Sequence, residues 1–152
     1  YNQRILLNMI STSEIKNFNK KFDVVSIFIE HAGTVLFLHR QDHKPQGNTW
    51  AVVAGKVEDG EQLLNALLRE VKEEIGVELI EEDIKYVKEY YVRYDDYDFK
   101  YHIHHVLLKE KPTIKLELKE HKDSRWLNPQ EALHLDLIQD EDVCIKDFYK
   151  IS

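Results

Sequence analysis

The sequence predicts an α/β domain in which a mixed β-sheet lies between helices. Three observations carry this. Two runs rich in β-branched and aromatic residues, Phe22 to Glu30 and Thr34 to His39, flank His31-Ala32-Gly33, the pattern of a hairpin. Leu64, Leu67, Leu68, Val71 and Ile75 recur at three- and four-residue steps, which makes one apolar stripe on a helix. Further strand-like runs and short helical patterns follow that helix, the alternation of a layered α/β fold.

Each element has its own signal. Residues 1–20 read as an N-terminal extension or a first element, ahead of a single domain at 21–152. Arg40 to Asn48 is polar, with Pro45 and Gly47, and reads as a loop before a short strand at Trp50 to Val53. Asp59 is placed to cap the helix, with Gln62 completing a capping box, and Gly76 suits the left-handed residue that ends it. Ile84 to Arg93 and Phe99 to Leu108 are strands around an acidic turn at Tyr94-Asp95-Asp96-Tyr97. Ile114 to Leu118 and Ser124 to Leu127 read as shorter strands. Asn128, Pro129 and Glu131 match an N-cap, a first-turn proline and a capping-box acid, and helices are expected near 129–135 and 138–150.

Composition narrows the function classes. A chain of 152 residues can bury one real core, and five Gly and three Pro leave no flexible linker of the usual kind. The net charge of −7 argues against a nucleic-acid backbone as main partner, but not against a small phosphate compound that arrives with a cation. Cys144 is the single cysteine, so there is no intrachain disulfide and no cysteine-based zinc site. No apolar run approaches the roughly 18 residues of a membrane span. Ile5 to Ile10 is too short for a secretory core, so the expected compartment is the cytoplasm. A homodimer is left open.

Function is written most densely between Gly55 and Val77. Glu70, Glu73 and Glu74 stand at i, i+3 and i+4, which gathers their carboxylates on one helix face, beside the apolar stripe and open to solvent. Three crowded like charges need a counter-charge, and hard cations such as Mg2+ or Mn2+ take oxygen ligands together with waters and phosphates. The plain alternative is a solvated acidic face. It does not account for Gly55, Glu61, Arg69 and Gly76, whose offsets complete the pattern Gx5Ex7REUxEExGU, with U an aliphatic residue. The stretch resembles a complete Nudix box.

The resemblance implies a Nudix-type α/β/α sandwich with a mixed sheet. It further implies that Glu70, Glu73 and Glu74, with the carbonyl of Gly55, ligate Mg2+ (Mn2+ as a substitute). Arg69 and Glu61 would form an ion pair that orients those carboxylates. Many members carry Pro-Gly-Gly before the helix, where this chain has Val53-Ala54-Gly55. The metal-proximal glycine is kept and the preceding turn differs.

Outside the box, Glu120 precedes a segment with Trp126 and then Asn128-Pro129-Gln130-Glu131, similar to the late Nudix segment whose acid serves as metal ligand or general base. An exposed loop glutamate is the competing reading. Arg40, Lys56 and Tyr94 are the substrate-binding candidates. A guanidinium such as that of Arg40 matches phosphate oxygens in a two-pronged way, and a surface charge is its alternative. His102 and His104 fall on one strand face and His105 on the other, which reads as a solvated face before a zinc site or a catalytic base. The tyrosines between 86 and 101 could stack a base or simply form strands. Trp50 and Trp126 are expected in the core or at the cleft edge.

The family hydrolyses nucleoside diphosphates linked to another group. A proline that marks ADP-ribose hydrolases is replaced by Val92, while Tyr94 fits the spacing of dinucleoside polyphosphate hydrolases. Six of the sixteen residues from 86 to 101 are Tyr, so that second match discriminates little. The spacing of Trp50, box and Glu120 looks more like the small nucleoside or pterin triphosphate pyrophosphohydrolases. The expected reaction is Mg2+-dependent release of monophosphate and pyrophosphate. A dinucleoside polyphosphate hydrolase, an RNA 5′-end hydrolase and a non-catalytic nucleotide sensor are the alternatives.

Overall fold

The computed structural model describes residues 8–152, so the first seven residues of the expected N-terminal element lie outside the described residues. Strands β1 (Met9–Ser11), β2 (Lys20–His31), β3 (Thr34–Arg40), β4 (Trp50–Ala51) and β5 (Val53–Lys56) precede helix α1 (Leu63–Ile75). Then come β6 (Lys85–Arg93), β7 (Asp98–Leu107), β8 (His121–Leu127) and helices α2 (Pro129–Ala132) and α3 (Glu141–Tyr149). The sheet runs β1-β6-β7-β2-β3-β4, with β5 on β2 and β8 on β3; β2 and β7 are parallel and the other pairs antiparallel. The mixed α/β architecture is the one expected.

Both faces of the sheet are covered, which is why Val25 to Ile29 is buried without a break. On one face Val25, Ile27, Ile29, Leu36 and Leu38 pack against Ala66, Leu67, Val71 and Ile75 of α1. On the other, Phe28, Val35, Phe37 and Ile103 pack against Ala132, Cys144 and Ile145.

Four local expectations change. Helix α1 starts at Leu63 after Gln62, with no side-chain cap. Asp59 lies back in the turn, and the acid at work there is Glu61, which accepts the Glu58 N–H at 3.0 Å. Gly76 does end the helix in the left-handed region, at φ 70°. Trp50 to Val53 is two strands, because the chain changes partner at Val52: Leu38↔Ala51 belongs to β3 and Ile27↔Val53 to β2. Ile114 to Leu118 is not a strand. Its amides serve the open end of α1 instead, Lys115 N–H donating to Ile75 O at 2.9 Å and Glu117 N–H to Glu74 O at 3.1 Å. The capping box at Asn128 and Glu131 is present, but the helix it opens is the short α2.

Candidate active site

Helix α1 crosses the sheet so that its acids meet the end of β5. Gly55 is required there for space: a Cβ would overlap the Glu70 carboxyl. Arg69 holds Glu61 with two nitrogens, Nε and Nη2, each at 2.9 Å. Its third nitrogen reaches Glu70 Oε2 at 2.9 Å and Glu73 Oε1 at 3.4 Å, and Nη2 also donates to Lys56 O at 3.1 Å. The guanidinium pulls Glu61 down to about 2. Arg69 therefore ties the loop after β5 to the acidic face of α1.

The three box glutamates are not equivalent. Glu73 sits on the rim, its side chain 59% exposed. Glu70 and Glu74 turn inward and hydrogen-bond each other. Glu74 is buried, not solvent-facing as the helix pattern predicts, because residues 115–117 and the end of β5 close over the last turn of α1. Burial first, and then the adjacent Glu70 charge, push its carboxyl well above the usual range. Its Oε1 meets no hydrogen-bond partner among the described residues.

That pair is a fit for a divalent cation. Among the described residues no three His, Cys, Asp or Glu side chains form a ready-made metal cluster. Mg2+ does not need one, since it binds through one or two carboxylates and completes its octahedron with waters and phosphates. Two packed acids that hold a proton between them, one with an orphaned oxygen, make a place where a cation can replace that proton.

A cavity of about 310 Å³ opens beside Glu74 and Gly55. One wall is aromatic: Phe22, Tyr94, Tyr97, Phe99 and Tyr101 come from β2, β7 and the turn before β7. The far end is closed by Asp140 and Glu141 at the start of α3. Glu141 is 3% exposed; Val52 N–H donates to its Oε1 at 3.4 Å, and Oε2 meets no partner among the described residues. Burial raises its carboxyl to about 7. Asp140 sits at φ 71°, a left-handed conformation unusual for a non-glycine residue, and Oδ2 of its raised carboxyl is likewise orphaned.

The other expected site residues are dispersed around this cavity. Arg40 lines it, with Nε and Nη2 donating to Pro45 O at 3.0 and 2.8 Å. Lys56 lines it with Nζ 4.4 Å from the Phe22 ring centre. Tyr94 stands in the aromatic wall, 5.1 Å from Phe99 edge to face. Glu120 does not line it; it lies 2.8 Å from Lys44 Nζ, and that lysine lowers its carboxyl. The cleft-lining residue of its segment is His121.

The β7 histidines are away from the cavity. Strand β7 lines it with Phe99 and Tyr101, so His102 and His104 point to the opposite face. His102 is neither solvated nor a base there: it bridges Asp23 at 2.8 Å and the Tyr86 hydroxyl at 2.9 Å. Sequence reasoning missed Glu141 and His121. An acid at a helix start reads as an ordinary cap, and a histidine after Glu120 has no periodic signature. Phe22, Phe99 and Tyr101 were findable by strand alternation once β2 and β7 are paired.

The sequence model of the NUDIX domain matches residues 20–148. The chain belongs to the Nudix family. It is 32% identical over 120 residues to the CTP pyrophosphohydrolase of Escherichia coli K12, covering 78% of this chain and 84% of that protein. The solution structure of the E. coli ORF135 protein superposes with a TM-score of 0.73 at 27% identity, covering 91% of this chain and 95% of that one. The E. coli dihydroneopterin triphosphate pyrophosphohydrolase shares the fold, with a TM-score of 0.67 at 24% identity over 90% of this chain and all 100% of that one. This Nudix protein is thus a pyrophosphohydrolase, of a family that acts on small nucleotide derivatives and generally depends on divalent metal. Among the described residues no helix is long and apolar enough to cross a membrane.

Proposed function

We propose that the protein hydrolyses a pyrophosphate bond of a nucleoside triphosphate, a cytosine nucleotide in the first place, to the monophosphate and pyrophosphate with Mg2+. One observation carries this reading: one cavity is lined by Glu74, the inner member of the acid pair, by an aromatic wall and by a buried acid. Its volume of about 310 Å³ is at the small end of ligand sites and suits one nucleoside better than two. The name of the E. coli CTP pyrophosphohydrolase supports cytosine. Glu141 at the cavity wall suits a base edge that sets an amino donor beside a ring-nitrogen acceptor, as cytosine and adenine do, and so favours these over uracil and guanine.

Glu70, Glu74 and the Gly55 carbonyl would hold the cation, with the more exposed Glu73 and Glu120 in reserve. Bound there, Mg2+ supplies charge neutralisation and an activated water. The chain's own groups do the rest. Arg69 fixes the Glu70 carboxylate from behind, Arg40 and Lys56 place positive charge beside the phosphates, and Phe22, Phe99 and Tyr101 grip the base while keeping water out. The test is a panel of CTP, UTP, purine triphosphates, deoxynucleotides, dihydroneopterin triphosphate and a dinucleoside tetraphosphate with Mg2+, read by mass spectrometry. CMP and pyrophosphate are expected from CTP at the highest kcat/KM. Absence of product from every compound overturns the reading.

A further inference from the structure

We propose that Ile10 is a specificity-determining residue, whose side chain ends the aromatic wall at the sheet edge and limits the cavity to a single-ring base. The proposal rests on the triphosphate reading above. It adds a contact from ahead of residues 20–148, the span that the NUDIX domain model matches.

Strand register sets the position. β1 pairs with β6 through Ile10↔Val92, β6 with β7 through Val92↔Phe99, and β7 with β2 through Phe99↔Phe22. Paired residues on neighbouring strands share one face of a sheet, so these four side chains form a row. All four line the cavity. Phe22 and Phe99 stack at 5.5 Å with their rings 18° apart, which makes the flat part of the row. Val92 follows, and partly buried Ile10 is the last member among the described residues, because β1 is the edge strand there.

A strand as short as β1 would hold Ile10 loosely by itself, but the segment behind it is fastened. Arg93 donates from Nη1 to Lys16 O at 3.2 Å and from Nη2 to Asn17 O at 3.1 Å. Its Nε and Nη2 grip Asp98 at 2.7 and 2.9 Å, and the Asn19 N–H donates to the same carboxylate at 2.8 Å. Ile15 is buried, and Phe18 meets Tyr91 edge to face at 5.0 Å. Arg93↔Asp98 is the next pair along from Val92↔Phe99, so the ion pair and the row are built on the same two strands. Ile10 is also branched at Cβ and stiff about χ1, and so keeps the place it fills.

The row and Glu141 divide the choice of base between them. Glu141 suits an edge that cytosine and adenine share, so hydrogen bonding there does not separate the two. Size separates them. A purine carries a second ring, which needs apolar room along the wall, and Ile10 takes up that room at the edge. In an apolar pocket one methylene changes preference by about tenfold or more, so a side chain of this size is enough to decide between the rings. Met9, its neighbour on β1, alternates to the other face and does not line the cavity.

The test compares Ile10→Ala and Ile10→Phe with wild type and with Met9→Ala, which changes the outer face of the same strand. With Mg2+, the ratio of kcat/KM for CTP to that for ATP is expected to fall about tenfold in Ile10→Ala, because the purine gains room. In Ile10→Phe kcat/KM should fall about tenfold for CTP and further for ATP. Met9→Ala should keep the wild-type ratio. Calorimetric binding of CMP and AMP should show the same shifts in preference without any turnover. Ratios that stay at the wild-type value in Ile10→Ala, for turnover and for monophosphate binding, would overturn the proposal. So would Met9→Ala shifting both as far as Ile10→Ala, since that marks a loosened β1 and not a wall. If the wild type hydrolyses no nucleotide yet the CMP-to-AMP preference moves as expected in the Ile10 variants, the function reading falls and the Ile10 wall stands. If CTP is hydrolysed and neither ratio moves, the wall falls and the function reading stands.

Discussion

At one end of the cleft Glu74 is buried against Glu70 on α1; at the other Glu141 is buried at the start of α3 beside Val52. Burial raises both carboxyls, yet their neighbourhoods differ. Glu74 has a second acid in contact and another, Glu120, close enough to act on it. Glu141 is surrounded by tyrosines, a cysteine and one backbone N–H, with Asp140 and Asp142 as its acidic chain neighbours. Acids in direct contact call for a cation, whereas an acid whose nearest partners are tyrosines and a backbone N–H calls for a hydrogen bond. The same side chain does two jobs because its company differs.

The largest expected effect is at the acid pair. Glu74→Gln keeps the shape and the neutral form but cannot offer a negative oxygen to a cation. Turnover should fall at least about a hundredfold, the scale of losing a preorganised charge from a transition-state site. Metal-free melting should match or slightly exceed wild type, and added Mg2+ should raise the wild-type Tm more than the variant's. An active variant, or one that unfolds without metal, sinks the assignment of this end.

Gly55→Ala attacks the same end from the strand side. Its Cβ would overlap the Glu70 carboxyl, so either the acid or β5 must shift. The expected cost is about 1–3 kcal/mol of stability, the usual range for overpacking, with turnover falling by at least about tenfold. Chemical denaturation and steady-state kinetics read the two effects separately. Wild-type behaviour in both would show that Glu70 has room to move.

At the Glu141 end the effect should be smaller and of another kind. Glu141→Gln keeps an acceptor for the Val52 N–H, so kcat on saturating CTP should change less than about threefold. Selectivity between CTP and the other triphosphates should shift by about tenfold. Stability carries a pH signature. The folded carboxyl titrates at about 7 and the unfolded one near 4.5, so the folded state holds more protons between those values. Stability is full below pH 4.5 and is lost as pH rises through 7, by about 3 kcal/mol from this one group. The variant should equal wild type near pH 4.5 and exceed it at pH 8. Parallel Tm curves across that range would refute the buried acid.

How much of this was legible in the sequence follows the range of the interactions. The helix and the Arg69–Glu61 pair are set by spacing within 23 residues and are present, but the buried stripe is Ala66, Leu67, Val71 and Ile75, with Leu64 and Leu68 of the expected set left outside the core. The two strands around Tyr94 to Tyr97 also follow local pattern. Segment 114–118 misled because its apolar alternation serves α1 and not the sheet, a pairing decided 40 residues away. Burial of Glu74 has the same origin, since residues 115–117 cover it. The Glu141 end was illegible for a related reason. Phe22, Tyr101 and Glu141 meet only after β2 and β7 pair in parallel and α3 folds back, and no local pattern encodes that meeting.

The smallest effect is expected away from the cleft, and it checks that the comparison concerns one face of the sheet. Tyr86 donates to or accepts from His102 Nδ1 at 2.9 Å, and His102 Nε2 reaches Asp23 at 2.8 Å, all on the face opposite the aromatic wall. Asp23 is tied further to Lys20 at 2.7 Å. Tyr86→Phe removes one hydrogen bond from a side chain that is already 51% exposed. The expected loss is about 0.5–1.5 kcal/mol, toward the lower end because water can replace the hydroxyl at Nδ1. Neither kcat nor KM for CTP should move beyond error, since no member of this chain of contacts lines the cavity. A tenfold change in kcat/KM with unchanged stability would instead couple the two faces through β7. The division of labour between buried acids would then need a third participant.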